Sequence, residues 1–169
     1  LPSVSALIAP LTQLIAALHV KREIAQIEFI QGDGPVALVF RNLATLDESD
    51  LTLLAEFEQG HAVQIFLQPG GVHSVTPLRE DYAPLYFDLP VYGIRYQFKP
   101  LDVIQVNAVL NEAMISRAIE LLQPTADEVI LDLFCGLGNF TLPLAQAAGQ
   151  VVGVEGDSGL VMRAAENAI

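Results

Sequence analysis

The stretch EVILDLFCGLGNF, residues 128–140, decides the fold. Glu128 to Leu133 is a short apolar run of strand length, and Phe134-Cys135-Gly136-Leu137-Gly138-Asn139 follows it as a glycine loop. A helical segment from Phe140 to Ala148 leads to a second strand, Gln150 to Glu155, and Ser158 opens another helix. Strand, glycine loop, helix and a second parallel strand with an acid at its tip make a nucleotide-binding unit. Gly136 and Gly138 let the backbone approach a ligand closely. Glu155, 17 residues beyond Gly138, is placed to accept hydrogen bonds from both hydroxyls of a ribose. A dinucleotide site would want a third glycine, which is missing here. Asp132, at the end of the first strand, opposes a pyrophosphate and suits a cation. The charge pattern therefore favours S-adenosylmethionine, with its sulfonium, over NAD.

Upstream of this unit, Asn107 is placed as a helix N-cap. Val109, Leu110, Met114, Ala118, Ile119 and Leu122 give the helix an apolar stripe that ends near Pro124. Pro100 to Gln105 is a connector, which sets a domain boundary at about residue 100: a central α+β domain over 1–100 and a Rossmann-like α/β domain over 101–169. Within the first, Leu7, Leu11, Leu14, Ile15 and Leu18 recur at helical spacing. Ile24 to Gln31 alternates as a strand, and Gly32-Asp33-Gly34 turns it into a second strand, Pro35 to Phe40. Thr45 and Glu48 stand at capping-box spacing before a helix closed by Gly60. Ala62 to Leu67 is a strand, and residues 72–98 read as further strands.

Composition narrows the function. The chain has 169 residues, with 8 Lys+Arg against 20 Asp+Glu, a net charge of −12 that argues against an independent nucleic-acid binder. Apolar residues reach 52%, so a core forms and disorder is excluded. The apolar N-terminal run is neither a signal peptide nor a membrane span, because it lacks a basic leader and is interrupted by Pro10, Thr12 and Gln13. Leu1 is not a Met and Ile169 falls inside a helical pattern, so a piece of a longer protein is expected. With one cysteine, neither a disulfide nor a thiolate metal site can be built. His19, His61 and His73 have no partners at metal-ligand spacing, and no metal site is expected.

FKPLDVIQVNAVLNEAM at 98–114, LDLFCGLGNFTLPLA at 131–145 and VVGVEG at 151–156 together resemble the RNA uracil-5-methyltransferases. The resemblance is strongest to the members that act on 23S rRNA, and it extends weakly back to LPSVSALIAPL at the N-terminus. It implies S-adenosylmethionine as cofactor, 23S rRNA as partner and a cytoplasmic enzyme. Gln105 matches the cofactor-contacting glutamine of the IQVN segment, Phe134 the loop aromatic, Asn139 the asparagine ending the loop, and Glu155 the ribose-binding acid. Val103 departs from the family, which has Phe there.

The family's reaction runs through a cysteine thiolate that adds to C6 of uracil, after which C5 attacks the methyl group and a general base removes the C5 proton. The target base is flipped out of the RNA. The nucleophile's S-C-N-P motif, the base glutamate, the 4Fe–4S cysteines and an RNA-binding TRAM domain do not occur in these residues. The chain is therefore expected to supply cofactor-site residues and no catalytic ones, and to be inactive alone. Cys135 reads as a packed small residue beneath the loop. Arg79, Arg95 and Lys99 are offset by Glu80, Asp81 and Asp88, a solvated face rather than an RNA surface. The neighbour of strand 128–133 is expected to come from beyond residue 169, which exposes a sheet edge to self-association. A methyltransferase for tRNA or a small molecule, and a non-catalytic module that docks RNA or protein, stay open as alternatives.

Overall fold

The alternating residues Ile24–Gln31 form strand β1, which pairs antiparallel with β2 (Val36–Asn42) across the glycine turn. The structure is a computed structural model and describes residues 2–169, with side chains from Ser3 onward. Its contacts divide into two units, one ending at Leu85 and the other spanning Tyr86–Ile169. The architecture is mixed α/β, as the sequence indicates.

In the first unit, helix α1 (Pro2–Ala17) and helix α2 (Glu48–His61) pack together with a four-stranded sheet of order β1-β2-β3-β4. Helix α2 carries the chain from β2 to the parallel strand β3 (Val63–Leu67), and the two-residue β4 (Thr76–Pro77) closes the sheet antiparallel. The core joins Leu14 and Leu18 of the first helical region to Leu38, Phe40, Leu54 and Ile65. The α2 termini differ from the sequence reading. Asp47, not Thr45, is the N-cap, because its extended backbone lets the carboxylate accept the Asp50 amide at 2.9 Å. Ala62 in the left-handed region (φ 52°), not Gly60, ends the helix, its N–H donating to the Glu58 carbonyl.

In the second unit, β5 (Leu85–Leu89, starting at the division) and β6 (Ile94–Phe98) form a two-stranded sheet. The segment 72–98 thus holds less strand than the sequence reading gave it, since 3-10 turns occupy Val72–Ser74 and Pro90–Tyr92. Helix α3 (Ala108–Leu122) starts at its expected cap, the Asn107 side chain accepting the Leu110 amide. Its apolar stripe is only partly turned inward, however, with Ala118 and Ile119 half-buried. Val109, Leu110, Met114 and Leu122 are exposed, and the buried positions are Asn111 and Ile115. The buried face thus pairs the apolar Ile115 with a polar residue, Asn111, whose hydrogen bonds are described below.

Strands β7 (Val129–Leu133) and β8 (Gln150–Val154) pair in parallel, Leu131 opposite Val152. Helix α4 (Thr141–Ala145) packs on β8 and is shorter than the segment 140–148, because Gln146 and Ala147 close it with bonds to residues three back. The chain then turns at Gly149, where a Cβ would lie 2.1 Å from the Ala126 carbonyl oxygen. Helix α5 (Ser158–Asn167), capped by Asp157, packs on β6. Strand β7 is not covered on both faces as its composition indicates. Val129, Leu131 and Leu133 are 67%, 59% and 57% exposed, since a sheet of two strands presents one face to solvent. Among the described residues no helix is long and apolar enough to cross a membrane.

Candidate cofactor site

The loop after β7 is shaped by three residues in the left-handed region: Phe134 (φ 61°), Gly136 (φ 56°) and Gly138 (φ 86°). Glycine adopts this conformation freely, but a phenylalanine held there costs on the order of 1–3 kcal/mol. The Cys135 amide donates to the Val154 carbonyl at 3.1 Å, and the Gly138 amide to the Cys135 carbonyl at 2.8 Å, which hold the turn against β8. Phe134 thereby projects outward with 89% exposure. A Cβ at Gly136 would meet nothing within 4 Å, so the loop presents an open backbone face there. At Gly138 a Cβ would press on Leu142 at 3.2 Å, the close approach that fixes loop to helix.

Glu155 closes the loop from the tip of β8. Its Oε2 accepts the Gly136 amide at 3.0 Å, and its Oε1 accepts the amides of Gly156 at 2.6 Å and Asp157 at 3.1 Å. The Asp157, Gly136 and Gly156 amides together hold this carboxyl below its ordinary range. Each carboxylate oxygen has room for two hydrogen bonds, so Oε1 is filled and Oε2 retains one acceptor position. Asp132, half-buried in β7, accepts the Thr141 hydroxyl at 2.6 Å, tying the strand to α4. No Lys or Arg lies between residues 132 and 139, and the local charge is negative.

Asn139 ends the loop in a reciprocal pair with Asn111 of α3. Asn111 Nδ2 donates to Asn139 Oδ1 at 2.9 Å, and Asn139 Nδ2 donates to Asn111 Oδ1 at 2.8 Å. Asn111 is buried. From the other side the Tyr96 hydroxyl of β6, also buried, donates to the Gly138 carbonyl at 3.1 Å. Burial raises the Tyr96 phenol well above its ordinary pKa, so it stays a donor. Gln105 lies in the exposed connector before α3, six residues ahead of Asn111. The structure thus joins Phe134, Gly136, Gly138, Asn139 and Glu155 around one loop, with Asp132 beneath it.

Sequence reasoning missed Asn111, Tyr96 and Thr141. Asn111 gave a signal, a polar residue four before the buried Ile115 in an apolar helix. Tyr96 and Thr141 gave none, since their partners lie on other elements. Cys135 behaves as a packing residue: a Cβ on Gly153 would meet its sulfur at 2.9 Å. Burial first, then the Asp132 charge, pushes its thiol pKa up, opposite to what a nucleophile needs. One cysteine cannot supply the four thiolates of a 4Fe–4S cluster, so these residues do not fit that group.

Two of the charge offsets in the 79–99 stretch are direct pairs. Arg79 bridges Asp81 at 2.7 Å, and Arg95 bridges Asp88 at 2.8 Å while lying 3.9 Å above the Tyr86 ring. His19 lies beside Asp47 and Asp50, a grouping the linear spacing hides. Its Nδ1 pairs with Asp47 at 2.7 Å and its amide donates to Asp50 at 2.8 Å, so the three residues form a helix-cap network.

The mixed α/β fold that carries this glycine loop is shared with methyltransferases of known structure. The chain superposes on the Pyrococcus abyssi tRNA (uracil-54, C5)-methyltransferase, solved with S-adenosyl-L-homocysteine, with a TM-score of 0.60 at 16% identity, over 83% of this chain and 35% of that one. A second likeness is the M. jannaschii tRNA m1G37 methyltransferase, with a TM-score of 0.53 at 13% identity, over 98% and 47%. The chain belongs to the tRNA (Uracil-5-)-methyltransferase family, whose sequence pattern matches residues 3–168. It is 54% identical, over 99% of its length, to the 23S rRNA (uracil(1939)-C(5))-methyltransferase RlmD of Xanthomonas campestris pv. campestris. Identity to the RlmD of Stenotrophomonas maltophilia strain K279a is 52% over the full chain. It spans 38% of the length of each of these relatives.

Proposed function

We propose that this chain carries the S-adenosylmethionine cradle of an enzyme that methylates C5 of uracil in 23S rRNA. The observation that carries this reading is the Gly136 amide donating to Glu155 Oε2 at 3.0 Å, which sets an acid against a glycine loop. The residues fit the cofactor. Oε2 of Glu155 has an acceptor position for a ribose hydroxyl, the exposed Phe134 ring offers an apolar face, and Asp132 adds negative charge where a sulfonium would be favoured. Gln105 extends the cradle from the connector. When bound, the cofactor supplies an electrophilic methyl group.

This chain's residues bind and orient rather than react. The loop residues would hold the cofactor in a fixed place beside the exposed Phe134 ring and the Glu155 carboxylate. No residue of the chain is assigned as nucleophile or base, and the packing of Cys135 together with its raised thiol pKa supports a structural role for it. The names of the relatives support 23S rRNA as substrate, and hence a cytoplasmic enzyme. The exposed apolar face of β7 supports self-association of the isolated chain.

Calorimetry on the full-length protein with S-adenosylmethionine, and methyl transfer to 23S rRNA and tRNA transcripts, test the reading. Saturable cofactor binding with transfer to the 23S transcript is expected. Transfer to tRNA alone moves the enzyme to the other substrate class, and absence of cofactor binding removes the reading altogether.

A further inference from the structure

We propose that Asn111 is a positioning residue that holds the cofactor loop in its binding shape. The inference rests on the reading above. Phe134 is held left-handed, a strained backbone for a residue with a Cβ, and Gly136 and Gly138 are free to leave that region, so the loop keeps its shape only where the surroundings fix it. Besides the backbone bonds to β8, three side-chain tethers fix it. Glu155 accepts the Gly136 amide, the Tyr96 hydroxyl donates to the Gly138 carbonyl, and the Asn111 amide closes a two-bond ring with Asn139. Only the last joins the loop to α3, and Asn111 follows Gln105 by six residues in the same segment. The Asn pair therefore sets the register between the two segments assigned to the cofactor. A buried primary amide is suited to this task because it donates and accepts at once. An apolar residue of similar size would fill the space and release the loop. It would also leave the Asn139 amide without either partner.

The test uses the full-length protein. Asn111→Ala is expected to weaken S-adenosylmethionine binding by roughly tenfold or more. KM for the cofactor should rise while KM for RNA holds, and the melting temperature should fall because the Asn139 amide loses a buried partner. Asn111→Asp supplies a readout that general destabilisation does not move. A protonated carboxylic acid reproduces the donor–acceptor ring with the Asn139 amide, whereas the carboxylate faces Asn139 Oδ1 with no proton to give. Cofactor affinity of Asn111→Asp should therefore recover as pH falls from about 8 to about 5.5, while wild type does not improve. If Asn111→Ala does not fold, Asn139→Asp, on the half-exposed side of the pair, carries the same pH test. Wild-type affinity and cofactor KM in Asn111→Ala, or an Asn→Asp loss that is equal at every pH, would overturn the proposal. A wild type that binds no cofactor refutes the function reading instead, so the two failures are distinct.

Discussion

Arg163 of α5 and Asp102 of the connector form an ion pair at 2.6 Å with both side chains nearly buried, 11% and 10% exposed. The second Asp102 oxygen accepts the Lys99 amide at 2.7 Å, so one carboxylate fixes the turn after β6 and anchors α5 to it. Asn167, further along α5, repeats the arrangement on β6, giving to the Gln97 carbonyl and taking the Gln97 amide. These contacts place the connector that leads into Gln105. A buried pair that loses one partner strands the other charge. Asp102→Ala should destabilise the chain by about 3 kcal/mol, read from urea unfolding, and Arg163→Ala by a similar amount. A double substitution should cost less than the sum of the singles. Additive losses would show that the two side chains are not coupled.

Glu155 gives a prediction in affinity and one in pH. Glu155→Ala in the full-length protein should reduce S-adenosylmethionine affinity by roughly tenfold or more, measured by calorimetry. Its carboxyl is held below its ordinary range in the folded chain by the amides of Asp157, Gly136 and Gly156. The stability it contributes is therefore fully present above its unfolded pKa and disappears as pH falls through the lower folded value. Hydrogen exchange at the Gly136 amide should accelerate on that acid limb relative to the intrinsic rate. Glu155→Gln should remove the effect.

Cys135 should be dispensable for chemistry. Cys135→Ala or Cys135→Ser in the full-length enzyme is expected to keep methyl transfer and covalent trapping on a 5-fluorouracil RNA. Loss of the trapped adduct with folding and cofactor affinity intact would make Cys135 the nucleophile after all.

Packing around Cys135 makes a separate claim. A Cβ at position 153 would meet Cys135 Sγ at 2.9 Å and Thr141 Oγ1 at 3.3 Å. Gly153→Ala should therefore cost about 1–3 kcal/mol in unfolding free energy. Cys135→Ala in the same chain should recover part of that loss by removing the sulfur, although the Cys135 Cβ stays at 3.3 Å. Equal destabilisation in both backgrounds would place the strain elsewhere.

What was legible in the sequence is what local chemistry determines. The parallel pair around the glycine loop follows from two apolar runs and the spacing of Gly136, Gly138 and Glu155. The α3 cap follows from one Asn ahead of a helical stripe. Thr45 misled because capping-box spacing counts residues without seeing backbone angles, and Asp47 is the residue with the extended backbone. The α3 stripe misled for a different reason. Hydrophobicity names apolar positions only, while the face buried here pairs Ile115 with the polar Asn111, whose partner Asn139 lies 28 residues away. His19 and Asp47 are likewise 28 residues apart, and no local pattern brings them together. Contacts of that range are set by topology, and the residues that make them carry no periodic signal of their own.

The exposed face of β7 leads to the last prediction. Val129, Leu131 and Leu133 stand on one side of the strand, and Val152 and Val154 of β8 lie across from Leu131 and Leu133. All five are exposed. Together they make a contiguous apolar strip on a sheet of two strands, where backbone donors and acceptors along the outer edges are also open to pairing. Burying such a strip against a second copy stabilises by about 25 cal/mol for each Å² removed from water. The isolated chain should therefore self-associate in sedimentation, with apparent mass rising with concentration. Leu131→Lys places a charge at the centre of the strip and should shift the chain toward monomer without unfolding it, since Leu131 is 59% exposed. A wild-type chain that stays monomeric at all concentrations, with strong exchange protection across 128–155, would show that this face is tolerated in water and end the proposal.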